Sequence, residues 1–162
     1  MIERTLVLIK PDGVQRQLVG RIIQRFEDVG LKIVGMKMMG VDKDFGEKHY
    51  FDVKQRYDER IFNNLVGYLS QGPVIAMVIE GVHAIQIVRK MAGSTYPSEA
   101  PPGTIRGDFS HISKEYANAT DKTVSNLIHA SAKPEEAKYE ITLWFKPEEI
   151  YNYKTVHEVH TL

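Results

Sequence analysis

Strand-like and helix-like segments alternate along the chain, and their order restricts the folds that it can adopt. Three stretches show the continuous or alternating apolar pattern of strands and cover residues 4–9, 31–39 and 74–81. Segments with helical patterns cover residues 18–29, 42–53, 58–70 and 83–92. A fourth strand is expected beside His129, followed by a helix that starts at Pro134. This order predicts an α/β (α+β) sandwich of ferredoxin-like type, in which helices cover an antiparallel four-stranded sheet.

Proline and glycine mark two places where the chain is expected to leave regular structure. Pro11 and Gly13 follow the first strand and predict a tight turn directly after Lys10. Segment 93–109 contains three prolines and three glycines, so we predict a long ordered loop there. Long ordered loops in compact domains often carry function.

Composition and charge exclude several classes of function. The 162 residues suffice for one domain, which we predict over residues 1–162. Lys and Arg together number 21, as do Asp and Glu, and this balance argues against a general nucleic-acid-binding protein. The absence of cysteine excludes disulfide scaffolds, thiolate catalysis and cysteine-bound zinc. The N-terminus lacks a signal-peptide pattern and the longest apolar run, 74–79, cannot cross a bilayer, so we expect a cytoplasmic protein without a membrane partner.

One histidine lies inside an apolar run that small residues follow. His129 belongs to the run NLIHA, with Asn126 and Ser131 close in sequence and Glu140 on the next predicted helix. A carboxylate on one ring nitrogen would fix the tautomer and leave a lone pair on the other, as a nucleophilic histidine requires. The same residues are compatible with a buried histidine whose hydrogen bond to Glu140 is purely structural.

Three basic residues adjoin element ends or glycines and could bind an anion. Lys10 ends the first strand, Arg89 lies late in a helix, and Arg106 lies in GTIRGDF. Each is by itself compatible with an exposed surface charge, and Arg106 could instead pair with Asp108. The sequence has neither a G-x-x-x-x-G-K-[ST] phosphate loop nor a G-x-G-x-x-G fingerprint, so neither common nucleotide-binding loop is available.

Six motifs together resemble the nucleoside diphosphate kinase family. They run in order from about residue 4 to about residue 150 and read TLVLIKPDGVQR, EKHY, GPVIAMVIEG, MAGSTYPSEAPPGTIRGDF, NLIHAS and EITLWF. The N-x-x-H-[small]-S and PGTIRGDF motifs are highly specific. The resemblance implies transfer of the γ-phosphoryl group of a nucleoside triphosphate, typically ATP, to a nucleoside diphosphate. His129 would carry the group as a phosphohistidine intermediate in a ping-pong mechanism.

The resemblance also implies roles for residues around His129. Glu140 and Ser131 would orient the histidine, and Tyr50 would pack beside it. The family forms hexamers or tetramers, and we favour a homo-hexamer in which the tail, residues 151–162, reaches a neighbouring subunit. No carboxylate cluster in the sequence suggests a metal cage in the protein, so Mg²⁺ would arrive on the nucleotide phosphates.

For the nucleotide itself, the resemblance implies contacts with the phosphates, the sugar and the base. The phosphates would be held by Lys10, Arg89, Thr95 and Arg106. Asn126 together with Lys10 would reach the sugar hydroxyl. The base would lie between apolar side chains, here Ile61 and Leu65, with Phe62 beside them.

The chain departs from the family pattern at three places. Ile61 stands where an aromatic residue is expected, and the connection 110–125 is longer than usual, so we expect it to form a surface excursion. Ala132 stands where the family has an aspartate. We expect this loss to affect only the start of the next helix, so that Ala132→Asp would add a helix cap worth about 0.5–2 kcal/mol and change turnover much less.

Two other classes of protein remain as alternatives. A regulatory protein that binds nucleotides with weak or no turnover would be expected to lack the histidine, the lysine or an arginine, and all are present. A nucleic-acid-binding module would show exposed paired aromatics and a basic surface, against which the zero net charge argues. Phosphoryl transfer is therefore the favoured hypothesis, with the regulatory protein as the alternative.

Overall fold

The computed structural model describes residues 1–160 and contains a four-stranded antiparallel sheet. Its strands are β1 (Ile2–Ile9), β2 (Lys32–Met39), β3 (Val74–Val82) and β4 (Ile128–Ala130). They lie in the order β2-β3-β1-β4, and every neighbouring pair runs antiparallel. The predicted ferredoxin-like sheet is confirmed.

Helices fill the connections between the strands. Within residues 1–160 the α-helices are α1 (Pro11–Gln15), α2 (Val19–Asp28), α3 (Lys43–His49), α4 (Val53–Arg56), α5 (Glu59–Leu69), α6 (Ala84–Ala92), α7 (Ile105–Phe109), α8 (Lys114–Ala119), α9 (Pro134–Trp144) and α10 (Val156–His160). Two 3-10 turns cover Pro97–Glu99 and Pro147–Glu149. The predicted helix over 42–53 is interrupted by a turn at residues 50–52. No helix in this part of the chain is both long enough and apolar enough to cross a membrane.

Two hydrophobic cores fix the register of the central strand. Val7 and Ile9 of β1 pack into one core with α2 and α6, while Leu6 and Leu8 pack into the other with α5 and α9. A shift of β1 by one residue would move each pair of side chains to the opposite face of the sheet. Burial of each of these side chains contributes roughly 1.5–3 kcal/mol to the stability of the fold. Since Leu8 pairs with His129 on β4, this register also fixes the face of the sheet that carries His129.

The two segments between α6 and β4 are more regular than the sequence indicates. Segment 93–109 was predicted to be an irregular loop but contains a 3-10 turn and α7. The Thr104 hydroxyl caps α7 by accepting a hydrogen bond from the Gly107 N–H at 3.1 Å. A Cβ at Gly107 would lie 2.1 Å from the Pro101 carbonyl oxygen, so no other residue fits this turn. The predicted excursion 110–125 contains α8, which Ser113 caps in the same way.

α9 begins at Pro134 as predicted, but its N-cap lies one residue after the position expected from the sequence. The N-cap is Lys133, whose side chain makes no capping hydrogen bond, and Ala132 precedes the cap. The Ala132 N–H donates to the Glu136 carboxylate at 3.1 Å. An aspartate at position 132 would therefore stand beside another carboxylate, and the gain expected from Ala132→Asp loses its basis.

Lys133→Ser is expected to raise the free energy of unfolding by about 0.5–2 kcal/mol, because serine can accept a hydrogen bond from an unsatisfied N–H of the first turn. Removal of a positive charge from a helix N-terminus favours the same outcome. Urea unfolding measures the effect, with Ala132→Ser as the matched control, expected to change stability by less than about 0.5 kcal/mol. An equal gain in both variants would show that the cap position is wrong.

Candidate active site

His129 lies where the short strand β4 meets the end of β1. Ile9 pairs with Ile128 at this end of the sheet, so Lys10 lies beside the residues that precede β4. The Lys10 N–H donates to the Leu127 carbonyl at 2.8 Å, and the Lys10 Nζ donates to Asn126 Oδ1 at 2.7 Å. The sheet thus brings together residues that are more than a hundred positions apart in sequence.

Glu140 holds the His129 ring from α9. His129 Nε2 lies 2.7 Å from Glu140 Oε1, and the Ser131 hydroxyl donates to Glu140 Oε2 at 2.5 Å. With Glu140 ionised, Nε2 carries the ring proton and Nδ1 keeps its lone pair. Burial and the Lys10 charge lower the pKa of His129, so the imidazole is neutral at pH 7.

A second histidine, His49, packs against the first. The His49 and His129 rings meet edge to face with centroids 4.6 Å apart, and His49 Nδ1 accepts a hydrogen bond from Trp144 Nε1 at 3.2 Å. Burial, followed by the nearby His129, lowers the pKa of His49 to about 3, so it is also neutral. His49 was not selected from the sequence, although it lies in the EKHY motif, because its 80-residue separation from His129 gives no local signal.

Tyr50 is buried beside His49. The two rings lie 4.6 Å apart between centroids, and the Tyr50 hydroxyl has no hydrogen-bond partner within the described residues. Burial raises the pKa of Tyr50, which keeps the hydroxyl protonated. Direct packing of Tyr50 against His129 stays a prediction, since the recorded ring contact of His129 is with His49.

Three basic side chains surround His129. Arg106 donates to the Ile128 carbonyl at 2.7 Å and Arg89 to the Ala130 carbonyl at 3.4 Å, so the two arginines bind the backbone on either side of the histidine. After burial, the charges of Lys10, Arg106 and Arg89 lower the pKa of His129. The fourth predicted phosphate ligand, Thr95, is exposed, and its carbonyl oxygen accepts a hydrogen bond from the Asn126 side chain at 2.8 Å. The predicted phosphate ligands therefore cluster at one edge of the sheet.

Arg106 is bound mainly to backbone carbonyl oxygens. Its guanidinium donates to the carbonyls of Gly93 (2.9 Å), Ser94 (3.2 Å), Asn126 (3.0 Å) and Ile128 (2.7 Å). These bonds use four of its five N–H donors and leave one, on Nη2, for a ligand. The pairing with Asp108 that the sequence left open does not form, because Asp108 pairs with Arg25.

A cavity of about 320 Å³ opens from Lys10 and Asn126 toward the surface. Ile61, which is 40% exposed, and Leu65 line one side from α5. Phe62 faces the protein core instead and does not line the cavity. Further residues of the cavity wall were not selected from the sequence, and these are Val53, Tyr57, Arg60, Asn64, Tyr96 and residues of segment 114–124. The long connection after α7 is therefore part of this site.

The described residues contain one cluster of potential metal ligands, and its chemistry does not suit Mg²⁺. His49, His129 and Glu140 offer ligand atoms within 4.8 Å of one another. Mg²⁺ prefers oxygen ligands, whereas two of these three ligands are imidazoles. The Glu140 carboxylate is also already hydrogen-bonded to both His129 and Ser131.

The family model for nucleoside diphosphate kinase matches residues 3–150. The chain belongs to the nucleoside diphosphate kinase family. The predicted family and its enzyme class, a nucleotide phosphotransferase, are confirmed. The prediction of a single domain over residues 1–162 includes residues 161–162, which lie outside the described residues, and it stays a prediction.

Related nucleoside diphosphate kinases match nearly the whole chain. The protein from Borreliella burgdorferi is 47% identical over 156 residues, which are 95% of this chain and 93% of that relative. The protein from Pyrococcus furiosus is 51% identical over 152 residues, which are 94% of this chain and 88% of that relative.

Solved structures of the family superpose closely on this fold. The nucleoside diphosphate kinase from Borrelia burgdorferi with bound vanadate and ADP has a TM-score of 0.94 and 47% identity, covering 97% of this chain and 95% of that one. The Halobacterium salinarum enzyme in complex with CDP has a TM-score of 0.85 and 38% identity, covering 98% and 97%.

Proposed function

We propose that the chain transfers the γ-phosphoryl group of a nucleoside triphosphate, typically ATP, to a nucleoside diphosphate through a phosphohistidine on His129. The observation that carries the proposal is the Glu140 hydrogen bond to Nε2, which leaves the Nδ1 lone pair available beside three cations. Nδ1 attacks the γ-phosphorus, and the bond to the β–γ bridging oxygen breaks to release the diphosphate. A terminal phosphate oxygen of the second diphosphate then attacks the same phosphorus and frees the imidazole.

Charge neutralisation lowers the barrier of both half-reactions. Phosphoryl transfer depends on positioning and on charges that stabilise the transferring group, and one well-placed cation can contribute about 10³–10⁵ in rate. Lys10, Arg89, Arg106 and Thr95 would bind the phosphates. Mg²⁺ would enter on the phosphate oxygens as part of the substrate and would screen their charge.

The cavity supports a placement for the rest of the nucleotide. Asn126 and Lys10 form its inner end, beside His129, and suit the sugar hydroxyl. Ile61 and Leu65 lie farther out and offer apolar surface to the base. The relatives solved with ADP and with CDP support the use of more than one base.

Initial-rate kinetics with ATP as donor and dTDP as acceptor test the proposal. Because the first product leaves before the acceptor binds, double-reciprocal plots at several fixed acceptor concentrations should be parallel. Intersecting lines would contradict a covalent intermediate and would indicate direct transfer between two bound nucleotides. Nucleotide binding without turnover would favour the alternative, a regulatory protein.

A homo-oligomer, with a hexamer favoured over a tetramer, is proposed from the family resemblance. The edge strand β2 supports an interface because Met36 and Met38 are 56% and 59% exposed. The described tail, residues 151–160, hydrogen-bonds to its own β2 through Tyr151 N–H and Val34 O at 2.7 Å. Light scattering measures the assembly. Contact of the tail with a neighbour, and the cytoplasmic location, stay predictions.

A further inference from the structure

Asp12, on α1, connects three parts of the site. Its Oδ1 accepts a hydrogen bond from the Tyr68 hydroxyl of α5, and its Oδ2 accepts one from the Leu127 N–H at 3.1 Å. Lys10 donates its own backbone N–H to the carbonyl of the same Leu127 at 2.8 Å. Leu127 is thus held through both of its backbone polar groups, one by Asp12 and one by Lys10.

Leu127 has a backbone conformation that needs such support. Its φ of 69° lies in the left-handed region, which residues other than glycine rarely adopt. Strained residues of this kind persist where surrounding contacts hold them, and they often adjoin functional sites. Leu127 directly follows Asn126, which binds the Lys10 amine, and directly precedes β4, which carries His129. The bond from Asp12 therefore helps to place both Asn126 and His129.

Asp12 also supplies negative charge to a buried lysine. Lys10 is only 6% exposed, and the partner of its amine is the neutral amide oxygen of Asn126. Burial and the Arg106 charge lower the pKa of Lys10 to about 7, while Asp12 raises it. The titratable and charged groups that act on Lys10, or on the His49–His129 pair beside it, are Asp12, Tyr68, Arg89, Arg106, Glu136 and Glu140, together with the two histidines.

We propose that Asp12 is a positioning residue for phosphoryl transfer, which holds the strained Leu127 turn and favours the charged form of Lys10 before a nucleotide binds. Tyr68 holds the Asp12 carboxylate in place by its hydroxyl hydrogen bond. One part of this proposal rests on the proposed function, namely that the Lys10 charge binds a nucleotide phosphate. The link between Asp12 and Lys10 is a property of the nucleotide-free protein.

An NMR titration of the nucleotide-free protein tests this link. Lysine side-chain resonances are followed with pH in the wild type and in Asp12→Asn, and the Lys10 signal is assigned by its loss in Lys10→Arg. The amide keeps the shape and an acceptor oxygen but removes the charge, so the Lys10 midpoint should fall by about one pH unit or more. The matched control Tyr68→Phe removes a hydrogen bond but keeps the charge, and its midpoint should stay closer to that of the wild type.

A double variant that restores a negative charge near Lys10 distinguishes the effect of the lost charge from a general loss of structure. In Asp12→Asn/Asn126→Asp a carboxylate again faces the Lys10 amine, so the midpoint should return to the wild-type value or above. An unchanged midpoint in Asp12→Asn, or equal shifts in Asp12→Asn and Tyr68→Phe, would overturn the proposal. If Asp12→Asn does not fold, a titration of the wild type tests the same link. The chemical shift of the Asp12 carboxyl carbon should then show an inflection at the Lys10 midpoint, and the absence of that inflection would contradict the link.

Kinetics then relate the link to the proposed function. For Asp12→Asn at pH 8, kcat/KM for the triphosphate should be about tenfold below that of the wild type, because Lys10 is more fully neutral in the variant. At pH 6 the difference in kcat/KM between the two proteins should be much smaller. The same loss at both pH values would contradict a role through the Lys10 charge. A protein that shows the NMR shift but no phosphoryl transfer would leave the Asp12–Lys10 link standing and would contradict the proposed function instead.

Discussion

His129→Ala is expected to lower turnover at least about a thousandfold, because in the proposed mechanism the imidazole both accepts and releases the phosphoryl group. The loss should appear in kcat, since the cavity and the phosphate-binding cations remain. A coupled assay with ATP and dTDP measures it, and thermal melting shows whether the variant is folded. His111→Ala is the matched control, because His111 is an exposed histidine outside the cavity wall, and its turnover should equal that of the wild type. Turnover above a tenth of the wild-type rate in His129→Ala would mean that another residue carries the phosphoryl group.

Arg106→Ala is expected to lose both stability and activity, whereas Arg89→Ala should lose activity alone. Arg106 ties two segments together through four carbonyl oxygens, and their loss should cost about 2–3 kcal/mol. Arg89 is exposed and makes one long hydrogen bond, to the Ala130 carbonyl at 3.4 Å, so its removal should cost less than about 0.5 kcal/mol. Both variants should lose at least about a hundredfold in kcat, because in the proposed mechanism each removes a cation from the transferring phosphoryl group.

Urea unfolding and single-turnover rates measure the two effects separately. Arg106→Lys keeps the charge but offers three donors at one nitrogen, so it should keep part of the activity and still lose stability. Equal destabilisation by Arg106→Ala and Arg89→Ala would contradict the structural role of Arg106. Full activity in either alanine variant would contradict the assignment of that arginine to the phosphates.

The sheet and the main helices were predictable because their signals are local. The apolar run of β1 and the helical spacing in α2 and α6 each lie within a dozen residues, and burial in two cores agrees with both patterns. Glu140 was also predictable as the partner of His129, since a short strand and the first two turns of α9 separate them. For this pair, the short separation in sequence limits how far apart the His129 and Glu140 side chains can lie.

The remaining parts of the site depend on contacts between distant segments. Asp12 was not selected from the sequence, since nothing near it in sequence indicates the bond to Leu127, 115 residues away. Arg106 could be assigned a charge but not its four carbonyl partners, because their positions follow from how segments 93–94 and 126–128 meet. The cap of α9 was displaced by one residue because helix ends are set by backbone angles that composition does not fix.

The most direct test of the account is to incubate the purified protein with γ-³²P-labelled ATP in the absence of an acceptor. If His129 is the nucleophile, label should become bound to the protein, survive alkali and be lost in acid, and added CDP should discharge it as labelled CTP. His129→Ala should take up none. Acid-stable label on the wild-type protein, or equal labelling of His129→Ala, would contradict phosphoryl transfer through His129.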